Sequence, residues 1–339
     1  MSLHPSVAAV RAGVRRVLAE LDPAAPQQPT VLVACSGGAD SLALLSAALF
    51  EGHKLDVRVI GVTVDHGLQE GSDAHAARVV SQMAAMGADE TATARVSVEG
   101  GGRGMEAAAR EARYAVLDQM AEHFGATQVL LGHTRDDQAE TVLLGLTRGS
   151  GGRALAGMRR AFDVYRRPLL DVARDETVTA CQVEGIAFWE DPHNTDPAYT
   201  RSRVRHRVLP LLEDELGPGV AATLARTADQ LREDAELLDA LAATAYDEVR
   251  ADGGLDAARL AAQPPALAHR VLRAAAVEAG APPSELFRVH VLALAALIGP
   301  QPRPGEVQLP GHLTALRDGD LLTFRPTAGG ARDAGNGWT

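Results

Sequence analysis

TVLVACSGGADS, residues 30–41, is the stretch whose reading decides the fold. Val31 to Cys35 is a compact apolar run of strand length. It ends at Gly37 and Gly38, and from Ser41 to Phe50 the apolar residues take helical spacing. A strand that passes through a glycine turn into a helix suits an anion. Glycines let backbone N–H groups approach closely and adopt positive φ. The positive end of the helix dipole points at the same place. The hydroxyls of Ser36 and Ser41 add donors. Asp40 cannot favour an anion directly, so it is expected to hold Mg²⁺ or a cationic substrate group. The string is not GxxxxGK[ST], which excludes a Walker P-loop. No GxGxxG follows this first strand, which weighs against a dinucleotide fold.

Outward from this turn, strand-length runs alternate with helical patterns as far as about Trp189. Val57 to Val64 is β-branched and strand-like, and Ala74 to Met86 is helical. Arg95 to Val98 reads as a short strand, Met105 to Phe124 as a long helix, and Gln128 to Leu131 as another strand. Asp136 to Leu146 returns to helical spacing. This alternation predicts an α/β domain with a mostly parallel sheet covered on both faces. Right-handed crossovers make it doubly wound. Beyond about Pro210, three stretches read as helices with almost no strand signal between them: Val220 to Val249, Ala266 to Ala279 and Ser284 to Ile298. Gly305 to Phe324 alternates like a β-hairpin that turns at Arg317 to Asp320. The expected division is an α/β domain over 1–215, a smaller, mainly helical domain over 216–326 ending in a hairpin, and a disordered tail over 327–339.

The net charge of −11 argues mildly against a nucleic-acid partner, because phosphate binding draws on Lys and Arg. A bound strand meets a local patch, however, not the global charge. Lys54 is the only lysine, so any phosphate-facing patch is built from arginine, a planar and bidentate donor. RSRVRHR at 201–207 is the densest such run, and RGSGGR at 148–153 is a second arginine loop. No apolar run reaches the ~18 residues of a transmembrane helix. Met1 to Leu21 has arginines inside an amphipathic helical pattern, unlike a signal peptide. Cys35 and Cys181 form no CxxC and fit a reducing compartment. The expected location is therefore cytoplasmic, with no membrane partner. Cys35 is expected to be a small buried side chain.

A second cluster, HTRDDQAET at 133–141, follows Val129 to Leu131 and opens a helix. The steps from His133 to Asp137, Asp136 to Glu140 and Asp137 to Thr141 are all i, i+4. Carboxylates then line about one turn beside a histidine, at the strand's C-terminal end, where open α/β sheets bind ligands. They suit Mg²⁺ or an ammonium group. A charged helix start is the plainer reading; beside a phosphate loop it is the weaker one.

SGGADS after the first strand is similar to the loop of the PP-loop ATP pyrophosphatases (adenine nucleotide alpha hydrolase-like), and HTRDDQAET resembles the HxxDDQxET string of the tRNA(Ile)-lysidine synthases. Further matches run in order. Val64-Asp65-His66-Gly67-Leu68 resembles VxHGL, with Gln69 where an arginine is usual. Glu106, Arg110, Arg113 and Tyr114 resemble ExxxRxxRY. Arg148-Gly149, Gly157-Met158 and Arg167-Pro168-Leu169-Leu170 match central segments. Glu190-Asp191 with Asn194 resembles (E/D)DxxN, and Arg201 with Arg205 resembles RNxxR, with Ser202 in place of the asparagine. The resemblance spans Thr30 to Leu212, and Leu309-Pro310-Gly311 is similar to a later segment.

The resemblance implies a ligase that uses ATP, Mg²⁺, free L-lysine and the isoleucine tRNA with a CAU anticodon. It would adenylate the C2 carbonyl oxygen of the wobble cytidine and let lysine displace AMP. Residues 1–215 would be catalytic and 216–326 would contact tRNA. Implied catalytic residues are Asp40, His133, Asp137, Glu140 and Arg113. Ser36, Gly37, Gly38, Ala39, Asp40, Ser41, His66 and Arg110 would hold ATP, Asp40 and Asp137 the metal, and Arg148, Arg201 and Arg205 the tRNA. A homodimer is compatible with the sequence. Two alternatives stand beside this reading. One is another PP-loop tRNA-modifying or adenylating enzyme, such as the tRNA 2-thiocytidine enzyme, which needs an iron–sulfur cluster for which no cysteine motif is present. A non-catalytic RNA-binding module fits poorly with intact Asp40, His133, Asp137 and Glu140.

Overall fold

The computed structural model describes residues 3–22, 27–65, 67, 71–96, 105–147, 152–191, 195–299 and 305–327. Helix α1 (Pro5–Leu18) precedes β1 (Thr30–Ala34), α2 (Ala39–Lys54), β2 (Arg58–Asp65), α3 (Ser72–Ala85) and β3 (Glu90–Arg95). There follow α4 (Met105–Phe124), β4 (Gln128–Leu131), α5 (Arg135–Thr147), α6 (Gly152–Leu155), β5 (Ala161–Phe162), β6 (Tyr165–Arg166) and α7 (Arg174–Val183). Next come α8 (Thr200–Arg203), a π-helical turn (Val204–Val208), α9 (Leu209–Leu216) and α10 (Val220–Val249).

The first sheet runs β3-β2-β1-β4-β6-β5. It is parallel except for β5, which pairs antiparallel with β6. The chain therefore builds outward from β1 through β2 and β3, then returns to the other side of β1 with β4. That reversal opens a crevice at the carboxyl ends of β1 and β4, the usual ligand position in such sheets. Segment 36–41 leaves β1 and segment 133–141 follows β4, so the topology delivers both motifs to one crevice.

Alternation along the strands makes two cores. Val31, Val33 and Val59 face α1, α2, α3 and α7 through Val14, Leu45, Met83 and Cys181. Leu32, Ile60, Val62 and Val129 face α4 through Leu117 and Met120. Strands buried on both sides read as continuous apolar runs, which is why β1, β2 and β4 stand out in the sequence. The edge strand β3 does not. It lies at Glu90–Arg95 rather than at 95–98, and its half-exposed ETATAR lacks an apolar run. The β5–β6 pair and α7 are additions to the expected elements.

The described residues divide into two compact units: Met1–Thr147 with Leu155–Asp229, and Arg148–Ala154 with Gln230–Thr339. The division falls within α10. The second unit contains β7 (Arg250–Ala251), β8 (Gly254–Asp256), α11 (Ala257–Ala262), α12 (Pro265–Glu278), α13 (Arg288–Ile298), β9 (Glu306–Leu309), β10 (Leu313–Asp318) and β11 (Leu321–Pro326). Its antiparallel sheet, β7-β8-β11-β10-β9, shares a core with the helices through Leu255, Leu260, Leu272, Leu294 and Leu322. The expected hairpin is β10–β11, with Gly319 at φ 61° in its turn. It is part of a five-stranded sheet because β7 and β8, of two and three residues, are too short to leave a pattern. No helix among the described residues is long and apolar enough to cross a membrane.

Leu117 is fully buried between α4 and the sheet. Leu117→Ala is expected to lower stability by about 2–5 kcal/mol, read as a lower urea midpoint. An unchanged midpoint would contradict the packing of α4 on β1 and β4.

Candidate active site

The phosphate loop is held open by its own side chains. The Ser36 N–H donates to Ser41 Oγ at 3.1 Å, and Ser41 Oγ–H donates to the Gly38 carbonyl at 2.9 Å. Gly37 has φ 84°, and a Cβ there would lie 2.8 Å from Val79 and 3.1 Å from the His75 ring. Outside the loop, His75 Nε2 lies 2.9 Å from the Ser36 carbonyl, and the Trp189 N–H donates to the Gly37 carbonyl at 2.9 Å. The His75 and Trp189 rings meet with centroids 4.1 Å apart and planes tilted by 44°. These contacts hold two loop carbonyls from behind. Gly38 caps α2 and has no side chain, so the cap residue supplies no acceptor to the first-turn amides. Such a helix start is a ready anion site. Cys35 and Cys181 donate to the carbonyls of Ser41 and Ala39. Burial pushes the Cys35 thiol up to about 12, so it is an inert part of the frame.

Across the crevice, Thr134 precedes α5 and Asp137 lies in its first turn. The Thr134 N–H and Oγ–H both donate to Asp137 Oδ2, at 2.8 and 3.0 Å, one half of a capping box. The other Asp137 oxygen takes Arg174 Nη2 at 2.7 Å and Arg205 Nη2 at 3.1 Å. Fully buried Glu140 takes Arg205 Nε at 2.6 Å and Arg174 Nη1 at 3.4 Å, and Arg201 Nε lies 3.3 Å away as an ion pair without hydrogen-bond geometry. Arg174 Nε also reaches Asp40 Oδ2 at 3.4 Å, and Thr177 Oγ–H donates to Asp40 Oδ1. The Arg174 N–H donates to Asp136 at 2.8 Å. One residue of α7 thus ties the phosphate loop to the acidic cluster. Burial alone would raise the Asp137 carboxyl, but Arg174, then His133, the Thr134 N–H and Arg205 outweigh it and hold it at about 2. Asp40 is shifted the other way, chiefly by burial and also by the nearby Asp137, against the pull of Arg174 and Thr177.

On the other side of His133 stand Arg110, Arg113 and Arg167. None of the three pairs with a carboxylate among the described residues. Arg110 and Arg167 donate to Tyr114 Oη, both at 3.3 Å. The Arg113 Nε–H is buried and meets no acceptor among the described residues. Burial lowers the pKa of both Arg113 and Arg167.

The structure therefore brings together Ser36 to Ser41, His133, Asp137, Glu140, Arg110 and Arg113. Arg201 and Arg205, read from the sequence as RNA-facing, turn inward onto Glu140. Val204 and Leu209 explain this, because they pack on Ala139 and fasten the π-helical segment to α5. π-Helical turns are frequent at functional sites. Gln138 is structural: its amide exchanges two hydrogen bonds with Met158 across Gly157, which has φ 59°. His66, Arg148 and Asn194 lie outside the described residues, as do the Glu106 side chain and residues 328–339 of the tail. Arg167, Arg174 and Thr177 enter the site with no role assigned from the sequence.

A phosphate loop and an acidic cluster facing each other at this switch point define a PP-loop ATP-using enzyme. The PP-loop domain family matches residues 11–212, and the TilS substrate binding domain matches residues 255–322. The tRNA(Ile)-lysidine synthase of Streptomyces coelicolor is 51% identical over 96% of this chain and 99% of its own length. That of Thermobifida fusca is 51% identical over 94% of this chain and 97% of its own. The chain belongs to the tRNA(Ile)-lysidine synthase family, ligases that form a carbon–nitrogen bond. In fold alone it is similar to the U34-tRNA thiolase NcsA from Methanococcus maripaludis with its [4Fe-4S] cluster. The TM-score is 0.53 at 19% identity, over 67% of this chain and 80% of that one.

The low pKa of Asp137 has a consequence for stability. An aspartate held below its unfolded value stabilises the fold fully above about pH 4 and loses that contribution as pH falls. In thermal melts, the gap between wild type and Asp137→Asn is expected to narrow as pH falls from about 4 towards the folded value of about 2. A gap that widens towards acid would contradict the ionised, arginine-paired Asp137.

Proposed function

We propose that this chain forms lysidine on tRNA(Ile) in two steps. First, O2 of the wobble cytidine of the CAU anticodon attacks the α-phosphorus of ATP, the bond to the β-phosphate breaks, and pyrophosphate leaves. Then the ε-amine of free L-lysine attacks C2, the C2–O bond breaks, AMP departs with the oxygen, and the amine nitrogen loses a proton. A carbonyl oxygen is a poor leaving group and AMP a good one. The observation that carries this reading is the bridge from Asp40 through Arg174 to Asp137, which makes the phosphate loop and the acidic cluster one site.

In this reading, Ser36, Gly37, Gly38, Ala39 and Ser41 hold the ATP phosphates with preorganised donors. His66 completes the nucleotide side. Arg110 and Arg113, which meet no carboxylate among the described residues, neutralise phosphate charge. Mg²⁺ takes one or two carboxylates along with substrate phosphates and water. Asp40 fits such a ligand, since one of its oxygens has only a 3.4 Å contact with Arg174. Asp137 fits once a guanidinium turns aside, because both of its oxygens are taken. The ion would neutralise phosphate charge. Among the described residues no group of three or more His, Cys, Asp and Glu side chains could cage a metal, so the phosphates would supply the remaining ligands. Glu140 holds the lysine ammonium in place of a guanidinium or takes the proton whose loss frees the ε-amine to attack. Arg201 and Arg205, released from Glu140, then join Arg148 and residues 216–326 in contacting tRNA. The single-stranded anticodon loop lets the target base leave its stack. Two buried thiols suit a reducing cytoplasm.

The test incubates the chain with ATP, radiolabelled lysine and the CAU-anticodon isoleucine tRNA, with the AUG-decoding methionine tRNA as control. Label is expected in the first RNA alone. Label in neither RNA overturns the reading, and label in both removes the specificity. Asp137→Ala is expected to abolish production of AMP and pyrophosphate, and wild-type rates in that variant would sink its assignment.

A further inference from the structure

Arg167 makes a contact that decides what His133 can do. It is a buried guanidinium with no carboxylate partner among the described residues. Four neighbours hold it. Its Nη1 donates to the Arg159 carbonyl and its Nη2 to Tyr114 Oη, its plane lies 4.7 Å from the centre of the Phe162 ring, and its Nε donates to His133 Nδ1 at 3.3 Å. A guanidinium has only donors and keeps its charge in proteins. His133 Nδ1 must therefore offer a lone pair, which leaves the single ring proton on Nε2. A second proton on Nδ1 would set N–H against N–H beside a fixed cation.

We propose that Arg167 is a positioning residue that fixes His133 as a neutral imidazole protonated on Nε2, so that His133 serves the reaction as a hydrogen-bond donor and not as a proton carrier. The charged groups around the ring agree with this. Arg167, Arg113 and Arg110 disfavour the imidazolium, and among the described residues Asp137 opposes them. Burial, the largest influence, joins these cations to hold the histidine at about 3. Asp137 is itself committed to Thr134, Arg174 and Arg205. A neutral donor stabilises a developing oxyanion without giving up its proton. The proton lost by the attacking amine then leaves by another group.

The use of this donor in catalysis rests on the proposed reaction; its tautomer does not. The ring nitrogens are read by NMR on the full chain carrying ¹⁵N-histidine, with His133 assigned by its loss in His133→Gln. The neutral Nε2–H form is expected unchanged between about pH 5 and 8. In Arg167→Met the ring is expected to mix tautomers or to titrate within that range. The adenylation kcat should fall about 10–100-fold, as for other supporting contacts, with little change in the KM for ATP. Arg167→Lys, which keeps a charged donor, should recover part of the rate. A wild-type ring protonated on Nδ1 overturns the proposal, as does a wild-type tautomer in Arg167→Met. If Arg167→Met fails to fold, the wild-type spectrum decides alone. A chain with the expected tautomer that forms no lysidine would leave this inference standing and remove the proposed function.

Discussion

Arg174 is one guanidinium among three buried or half-buried carboxylates, and the geometry of the crevice depends on it. Asp40 belongs to α2, Asp137 and Glu140 to α5, and Arg174 to α7. These segments come together only when the sheet has formed. Carboxylates crowded in a low-dielectric site repel, and one would take up a proton if no cation lay between them. Arginine suits the position better than lysine, because its Nε, Nη1 and Nη2 reach Asp40, Glu140 and Asp137 at once. The network need not add much net stability. Desolvation offsets most of the attraction, yet removing one partner typically costs about 3–5 kcal/mol because the others remain buried and charged. Its effect is to specify one arrangement of the loop against α5.

The parts of this site that the sequence makes legible are those built locally. The loop from Ser36 to Ser41 is readable because its glycines, serines and helix start are consecutive. The cluster from His133 to Thr141 is readable because i, i+4 spacing puts its groups on one turn. Arg174 and Thr177 leave no such trace. They meet Asp40 across 134 and 137 residues of chain, and only the packing of α7 on α1 and α2 chooses them. The same limit hid β3, β7 and β8, whose short or polar strands carry too little apolar pattern to mark them.

Arg201 and Arg205 show a different limit of local reading. A dense basic run in an acidic chain suggests an outward face for phosphate. The acidity has an inside as well, and Glu140, fully buried, needs cations more than any surface carboxylate does. A cation count along the chain cannot separate the two demands. Packing of Val204 and Leu209 on Ala139 separates them, by turning the arginines inward in the free chain.

The crevice is therefore divided by charge. On one side Arg174, Arg201 and Arg205 fill a pocket of carboxylates; on the other Arg110, Arg113 and Arg167 meet no carboxylate among the described residues. His133 and Asp137, four residues apart, stand on the border. The proposed reaction needs such a division. An ammonium and a triphosphate attract each other in solution, and a site without internal sign would let them pair unproductively. Separate pockets of opposite sign hold each reactant by its own charge and leave the base between them as their only meeting point. A histidine on that border that could gain a proton would blur the division, adding a second positive centre beside Asp137. Keeping it neutral preserves the boundary, which gives Arg167 a reason to be buried where no carboxylate among the described residues balances it.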